Sequence, residues 1–132
     1  MIGIDTNILV RFLSTDDAAQ HKRASLFLGS LDGENPAYVS ALTLAEAIWV
    51  LRRRLGFPME QILDAVRELL ASDAICFEHG ERLGTLLNNS QPAGRDLTDH
   101  LIAWSAQQAG CLRTLTFDNR AAKTVASMEL LS

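Results

Sequence analysis

Met1-Ile2-Gly3-Ile4-Asp5-Thr6-Asn7 opens the chain with an apolar run that breaks at a carboxylate and two small polar side chains. Ile8-Leu9-Val10 follows as the start of a helix. A short apolar run bounded in this way suits a fully buried parallel strand, which needs no alternation of polar and apolar residues. Asp5 then stands at the carboxyl end of that strand. In open α/β sheets the crevice outside those ends is where ligands bind.

Working outward, Asn7 to Leu13 reads as a short helix, and Asp17 to Leu31 as a second with Ala24, Leu28 and Leu31 on one stripe. Ala37 to Ser40 is a strand, followed by a helix from Thr43 to Leu55 that ends at Gly56-Phe57-Pro58. Met59 to Ala71 makes a helix with Ile62, Val66 and Leu69 inward, and Ala74 to Phe77 a third strand. A helix over Gly80 to Asn88 leads into a loop through Pro92 and Gly94. The next helix, Leu97 to Ala109, stops at Gly110, a residue suited to the position just past a helix end. Leu112 to Phe117 is a fourth strand, Asn119 to Val125 a short helix, and Met128 to Leu131 a final edge strand. Strands alternating with helices at this spacing predict right-handed βαβ units. The expected architecture is a three-layer α/β/α fold with a central parallel sheet of four to five strands, and residues 1–132 are read as a single domain.

A chain of 132 residues with 48% hydrophobic content can bury a core without staples. Cys76 and Cys111 are too few for a disulfide scaffold, and their apolar neighbours predict buried, reduced thiols. No cationic segment precedes an apolar core and cleavage site, and no apolar run approaches the roughly 20 residues of a membrane span. The expectation is a soluble, cytoplasmic protein. A net charge of −4 and a pI near 5.3 argue against a general nucleic-acid binder with a basic face. They leave room for an enzyme whose acidic cluster holds a cation that then meets phosphate.

Five acids carry the functional reading, each against a plainer one. Thr43-Leu44-Ala45-Glu46 matches a capping box, in which Thr43 and Glu46 satisfy each other's end of the helix. Yet Glu46 lies opposite the Leu44, Ile48, Leu51 and Leu55 stripe, on a partly apolar face near Trp49, Val50 and Arg53. Asp96 suits an N-cap. Asp99 projects into an apolar arc of Ile102, Ala103, Ala106 and Ala109, opposite a second arc of Leu97, Leu101 and Trp104. A core-facing carboxylate costs several kcal/mol, to order of magnitude, unless it is paired or metal-bound. Asp118 follows Leu115-Thr116-Phe117 as Asp5 follows Gly3-Ile4, and it too can cap a helix. Converging carboxylates raise one another's pKa, and a hard cation offsets them. Oxygen ligands without a His or Cys pattern favour Mg²⁺ or Mn²⁺ over zinc. His21, His79 and His100 lack metal-site spacing and read as surface residues.

At these residues the chain resembles PIN-domain nucleases. The likeness is carried by Asp5-Thr6-Asn7, by Ser40 to Glu46 leading into Ile48-Trp49-Val50-Leu51, by Asp96 to Ala103, and by Thr114 to Asp118. Four motifs stand in order over nearly the whole chain, most like the VapC-type toxins of type II toxin–antitoxin pairs. The resemblance implies a metal-dependent endoribonuclease that leaves 5′-phosphate and 3′-hydroxyl ends. Asp5, Glu46 and Asp99 match the family's central acids and Asp118 a fourth, more variable one; Asp96 matches an acid found in part of the family. Thr6 and Thr116 would lie close to the site, with Asn7 and Asn119 supporting it. Leu97-Thr98 and His100 depart from the family's usual residues, which bears on substrate fit rather than on chemistry. Arg53, Arg95 and Arg120 are the expected phosphate contacts. The expected cofactor is Mg²⁺ or Mn²⁺, and the expected partners are an RNA substrate, a cognate antitoxin and a second copy in a homodimer. Leu51, Leu55, Phe57 and Ile62 are either a groove for the antitoxin's apolar side chains or core.

Three rival readings compete. A non-catalytic PIN-fold binding module would be marked by loss of an acid, and all are present. A phosphoryl-transfer domain using Asp5 as nucleophile wants a second acid beside or two residues beyond it, where Thr6 and Asn7 stand. A plain interaction domain would use the acids only as helix caps, and Asp99 resists that.

Overall fold

The computed structural model describes residues 1–88 and 96–132. The chain forms two compact units, one spanning Met1–Asn88 and the other residues 89–132.

In the first unit the elements run β1 (Ile2–Gly3), α1 (Thr6–Leu13), α2 (Ala18–Gly29), β2 (Ala37–Val39), α3 (Ala41–Trp49), a π-helical turn (Val50–Arg54), α4 (Met59–Leu70), β3 (Ile75–Phe77) and α5 (Gly80–Asn88). Its sheet is parallel, in the order β1-β2-β3, with Ile2 opposite Ala37 and Val39 opposite Phe77. β2 is central, and Ala37 and Val39 are fully buried. β1 departs from expectation: it is two residues long, lies at the sheet's edge, and both residues are exposed. Within this sheet β1 has a hydrogen-bonded neighbour on one side only, so an apolar run there marks an edge rather than a covered strand.

The helical stripes bury as their periodicity requires. Leu44, Ile48 and Leu51 are buried on α3 and the turn after it, and Ile62, Val66 and Leu69 on α4. Each such leucine contributes about 1.5–3 kcal/mol relative to leaving it exposed. Leu51 and Ile62 are therefore core and not a groove; Leu55 and Phe57 are half-buried. The helix expected to run on to Leu55 changes pitch at Val50, where Leu55 N–H bonds to the Val50 carbonyl at 3.2 Å. Gly56, at φ +72°, lets Phe57 N–H return to the Leu51 carbonyl at 2.8 Å and closes the helix.

In the second unit the elements are α6 (Leu97–Gln108), β4 (Thr114–Thr116), α7 (Asn119–Thr124) and β5 (Met128–Leu130). β4 and β5 pair in parallel through the α7 crossover, with Thr114 opposite Met128. Ala103, Ala121, Val125 and Met128 form its core cluster. Gly110 ends α6 at φ +99°, with Cys111 N–H bonded back to the Ala106 carbonyl at 3.0 Å.

The fold is α/β with parallel pairing throughout. Among the described residues, however, the strands form a three-stranded and a two-stranded sheet instead of one sheet of four to five. The α6 helix is not buried on two sides, because Ile102 is 51% exposed. Cys76 is half-buried and Cys111 exposed, so the expectation of two buried thiols fails at Cys111. Among the described residues no helix is long and apolar enough to cross a membrane.

Candidate active site

Asp5 follows β1 and caps α1. Its Oδ1 accepts from Thr6 N–H at 2.7 Å, and its carbonyl accepts from Ile8 and Leu9 N–H at 3.1 and 3.3 Å. The carboxylate itself is exposed, Thr6 is buried beneath it and Asn7 is exposed. One oxygen thus holds the helix start, as an N-cap does.

Glu46 rides on α3, which begins two residues earlier than its sequence suggests. Ser40 is the N-cap: its Oγ accepts from Thr43 N–H at 3.1 Å. Thr43 occupies the third helical position, so the box expected between Thr43 and Glu46 does not form. A second cap comes from far along the chain, where Glu78 Oε1 accepts from Ala41 N–H at 2.7 Å. Glu46 is left exposed, with no hydrogen bond or ion pair among the described residues. The capping-box explanation for Glu46 is thereby removed.

The sequence motifs do not single out Glu78, although its position carries a signal. It follows Ile75-Cys76-Phe77 at the end of β3 as Asp5 follows β1. Its backbone N–H continues the ladder to the Val39 carbonyl at 2.9 Å. The carboxylate is a positioning group for α3, and its charge suits the positive end of that helix.

In the second unit Asp96 stands at the N-cap position of α6 but makes no capping bond. It is 6% exposed; Thr124 Oγ1 lies 3.0 Å from its Oδ2 and Arg120 Nε 3.4 Å from its Oδ1. The same Thr124 hydroxyl lies 2.9 Å from the Arg120 carbonyl, so two acceptors compete for its one proton. The expected cap is replaced by a clasp onto α7. Asp118 caps α7 instead, its Oδ1 accepting from Arg120 N–H at 2.9 Å and Ala121 N–H at 3.1 Å. Thr116 Oγ1 accepts from Asp118 N–H at 3.0 Å, which fixes the turn out of β4. Asn119 is exposed at the first position of α7.

Asp99, in the first turn of α6, is half-buried rather than core-facing. Burial raises its pKa, and the charges of Asp118 and Asp96 raise it further against the opposing pull of His100 and Arg120. His100 moves the other way, its imidazole pushed down by burial despite Asp96 and Asp99. Its ring lies 5.6 Å from that of Trp104.

The second unit therefore brings Asp96, Asp99 and Asp118 within electrostatic reach of one another, and the first unit holds Asp5 and Glu46. Among the described residues no three acidic, histidine or cysteine side chains form a group able to hold a metal. The donor chemistry still fits a hard cation: every candidate ligand is a carboxylate, and Asp99 carries the mutual repulsion that a cation offsets. Of the expected phosphate contacts, Arg53 is exposed in the π-helical turn and Arg120 is drawn to Asp96. Arg95 lies outside the described residues.

The family model described as PIN domain matches residues 2–126. A search of curated proteins gave no match.

Proposed function

From the chain's membership of the PIN-domain family, to which it belongs along nearly its whole length, we propose that it is a metal-dependent endoribonuclease. PIN domains are generally nucleases, typically dependent on divalent metal. The observation that carries the reading to these residues is the raised pKa of Asp99 beside Asp118 and Asp96. Perturbed carboxylates held near one another are a mark of functional sites.

Asp5, Glu46, Asp99 and Asp118 are the proposed catalytic carboxylates, and with Asp96 they are the proposed ligands of Mg²⁺ or Mn²⁺. When bound, such an ion supplies charge neutralisation at the phosphodiester and a more acidic water. The chain's own groups do the rest. Asp5 is held by Thr6 N–H through one oxygen, which fixes the orientation of the other. Glu46 is presented by a doubly capped helix. Asp99, whose proton affinity is raised by burial and by Asp118 and Asp96, is the carboxylate proposed to take a proton. Thr116 and Asn119 support Asp118, Thr6 and Asn7 support Asp5, and Arg53, Arg95 and Arg120 contact phosphate. No protein nucleophile is required.

The finer reading is a VapC-type toxin that acts in the cytoplasm as a homodimer and is silenced by a cognate antitoxin. Its support is the order and spacing of the four motifs. The test is cleavage of a pool of structured RNAs by wild type and Asp5→Asn, with chelator, Mg²⁺ or Mn²⁺. Cleavage that needs metal and disappears in Asp5→Asn supports the nuclease. Identical products from both proteins, or no cleavage and no effect of metal on melting, favour a PIN-fold binding module.

A further inference from the structure

Trp49 is 57% exposed at the end of α3. A large aromatic ring left in water at a helix surface calls for an occupant. Three features of this chain indicate which. Glu46 lies one turn before Trp49, at the three-residue spacing that makes helical neighbours, and it is exposed as well. Directly after Trp49 the helix widens into the π-helical turn Val50–Arg54, a rare geometry that recurs at functional sites. That turn carries Arg52, Arg53 and Arg54, all exposed, and no carboxylate pairs with any of them among the described residues.

Three exposed guanidiniums at consecutive positions around this helix end concentrate positive charge locally in a chain of net charge −4. The turn bonds i→i+5, with Leu55 N–H on the Val50 carbonyl at 3.2 Å, and sets Arg52, Arg53 and Arg54 within five residues of Trp49. An aromatic face among unpaired arginines matches single-stranded nucleic acid, whose bases stack and whose phosphates bind guanidinium. An apolar protein segment would satisfy Trp49 and strand the arginines. A second copy on this face would bring two arginine triplets into one interface with only the Glu46 of each copy to offset them.

We propose that Trp49 stacks an unpaired base of the RNA substrate while Arg52, Arg53 and Arg54 hold the flanking phosphates. The inference rests on the nuclease reading, since it places this base one helical turn from Glu46. It makes Trp49 a determinant of which RNA is accepted, through an unpaired base rather than a duplex.

The test uses full-length protein carrying Trp104→Phe, which leaves Trp49 as its one tryptophan. In chelator, a single-stranded oligoribonucleotide should quench Trp49 fluorescence, and the same sequence in a duplex should quench it far less. With metal, Trp49→Ala should raise KM about tenfold with kcat little changed, and Trp49→Phe should recover part of the loss. Arg52→Gln with Arg54→Gln should weaken binding of all sequences alike and flatten its salt dependence. Melting curves identify any variant that fails to fold, and the quenching experiment then decides alone. Cleavage by wild type with an unchanged KM in Trp49→Ala overturns the stacking role and leaves the nuclease intact. Quenching by single-stranded RNA without cleavage in any metal overturns the nuclease and keeps the stacking face. A fluorescence change that follows protein concentration without RNA overturns the proposal in favour of a second copy.

Discussion

Thr124 Oγ1 stands 3.0 Å from Asp96 Oδ2, and this pairing ties the start of α6 to the end of α7. The buried carboxylate is spent on its own unit's architecture, with Arg120 on its other oxygen. Of the proposed metal ligands Asp96 is the buried one, whereas Asp99 is half-buried and Asp118 exposed.

Thr124→Val tests this division of labour without touching a carboxylate. Removing the hydroxyl leaves Asp96 with one fewer partner and should cost about 1–3 kcal/mol. Urea unfolding measures that loss. RNA cleavage at saturating metal should stay at the wild-type level. A large fall in cleavage with stability retained would assign Asp96 to the reaction instead.

Asp5 has two duties that one pair of substitutions can separate. Asp5→Asn keeps a side-chain oxygen for Thr6 N–H, so α1 stays capped and the melting temperature should barely move. Asp5→Ala removes the cap and should cost about 1 kcal/mol. Both should abolish cleavage. Activity surviving in Asp5→Asn would reduce Asp5 to a cap.

Asp99 contributes a pH dependence of defined sign. Its pKa is raised in the folded chain above the ordinary 3.8, by burial and by Asp118 and Asp96. Its contribution to stability is therefore complete below 3.8 and is lost as pH rises through the folded value. At neutral pH and without metal, Asp99→Asn should melt higher than wild type, and at pH below 3.8 the gain should vanish. Cleavage should be lost, as expected when a strained functional group is relaxed. Added Mn²⁺ should raise the melting temperature of wild type more than that of Asp99→Asn. Equal responses to Mn²⁺ would remove Asp99 from the ligand set.

The two thiols differ in exposure, which a titration reads directly. Cys111 should react at once with a thiol reagent in the native protein, and Cys76 only slowly. One fast and one slow equivalent is the expected result. Cys111→Ser should remove the fast phase.

The helices were the legible part of this chain, since a 3.6-residue stripe such as Ile62, Val66 and Leu69 states which face is inward. The strands were less so. An apolar run such as Met1 to Ile4 looks the same whether neighbours cover both edges or one. Within Ser40-Ala41-Leu42-Thr43-Leu44-Ala45-Glu46 the sequence reading places the cap at Thr43. The structure caps the helix at Ser40 instead, and Glu78, 37 residues beyond Ala41, takes the Ala41 N–H. No local pattern contains that partner. Asp118 was legible as a cap because all its partners lie within three residues. Asp96 was misread because its partners sit 24 and 28 residues away.

The Glu78 contact also sets an order of events in synthesis. By the time the ribosome has released Trp49, the residues forming α3 and its near cap are already available, but the far cap is not. Until β3 emerges and pairs with β2, the first N–H of the Glu46 helix faces water. A closure spanning this much sequence is entropically costly and late. A chain interrupted before residue 78 thus starts the Glu46 helix on the Ser40 cap alone.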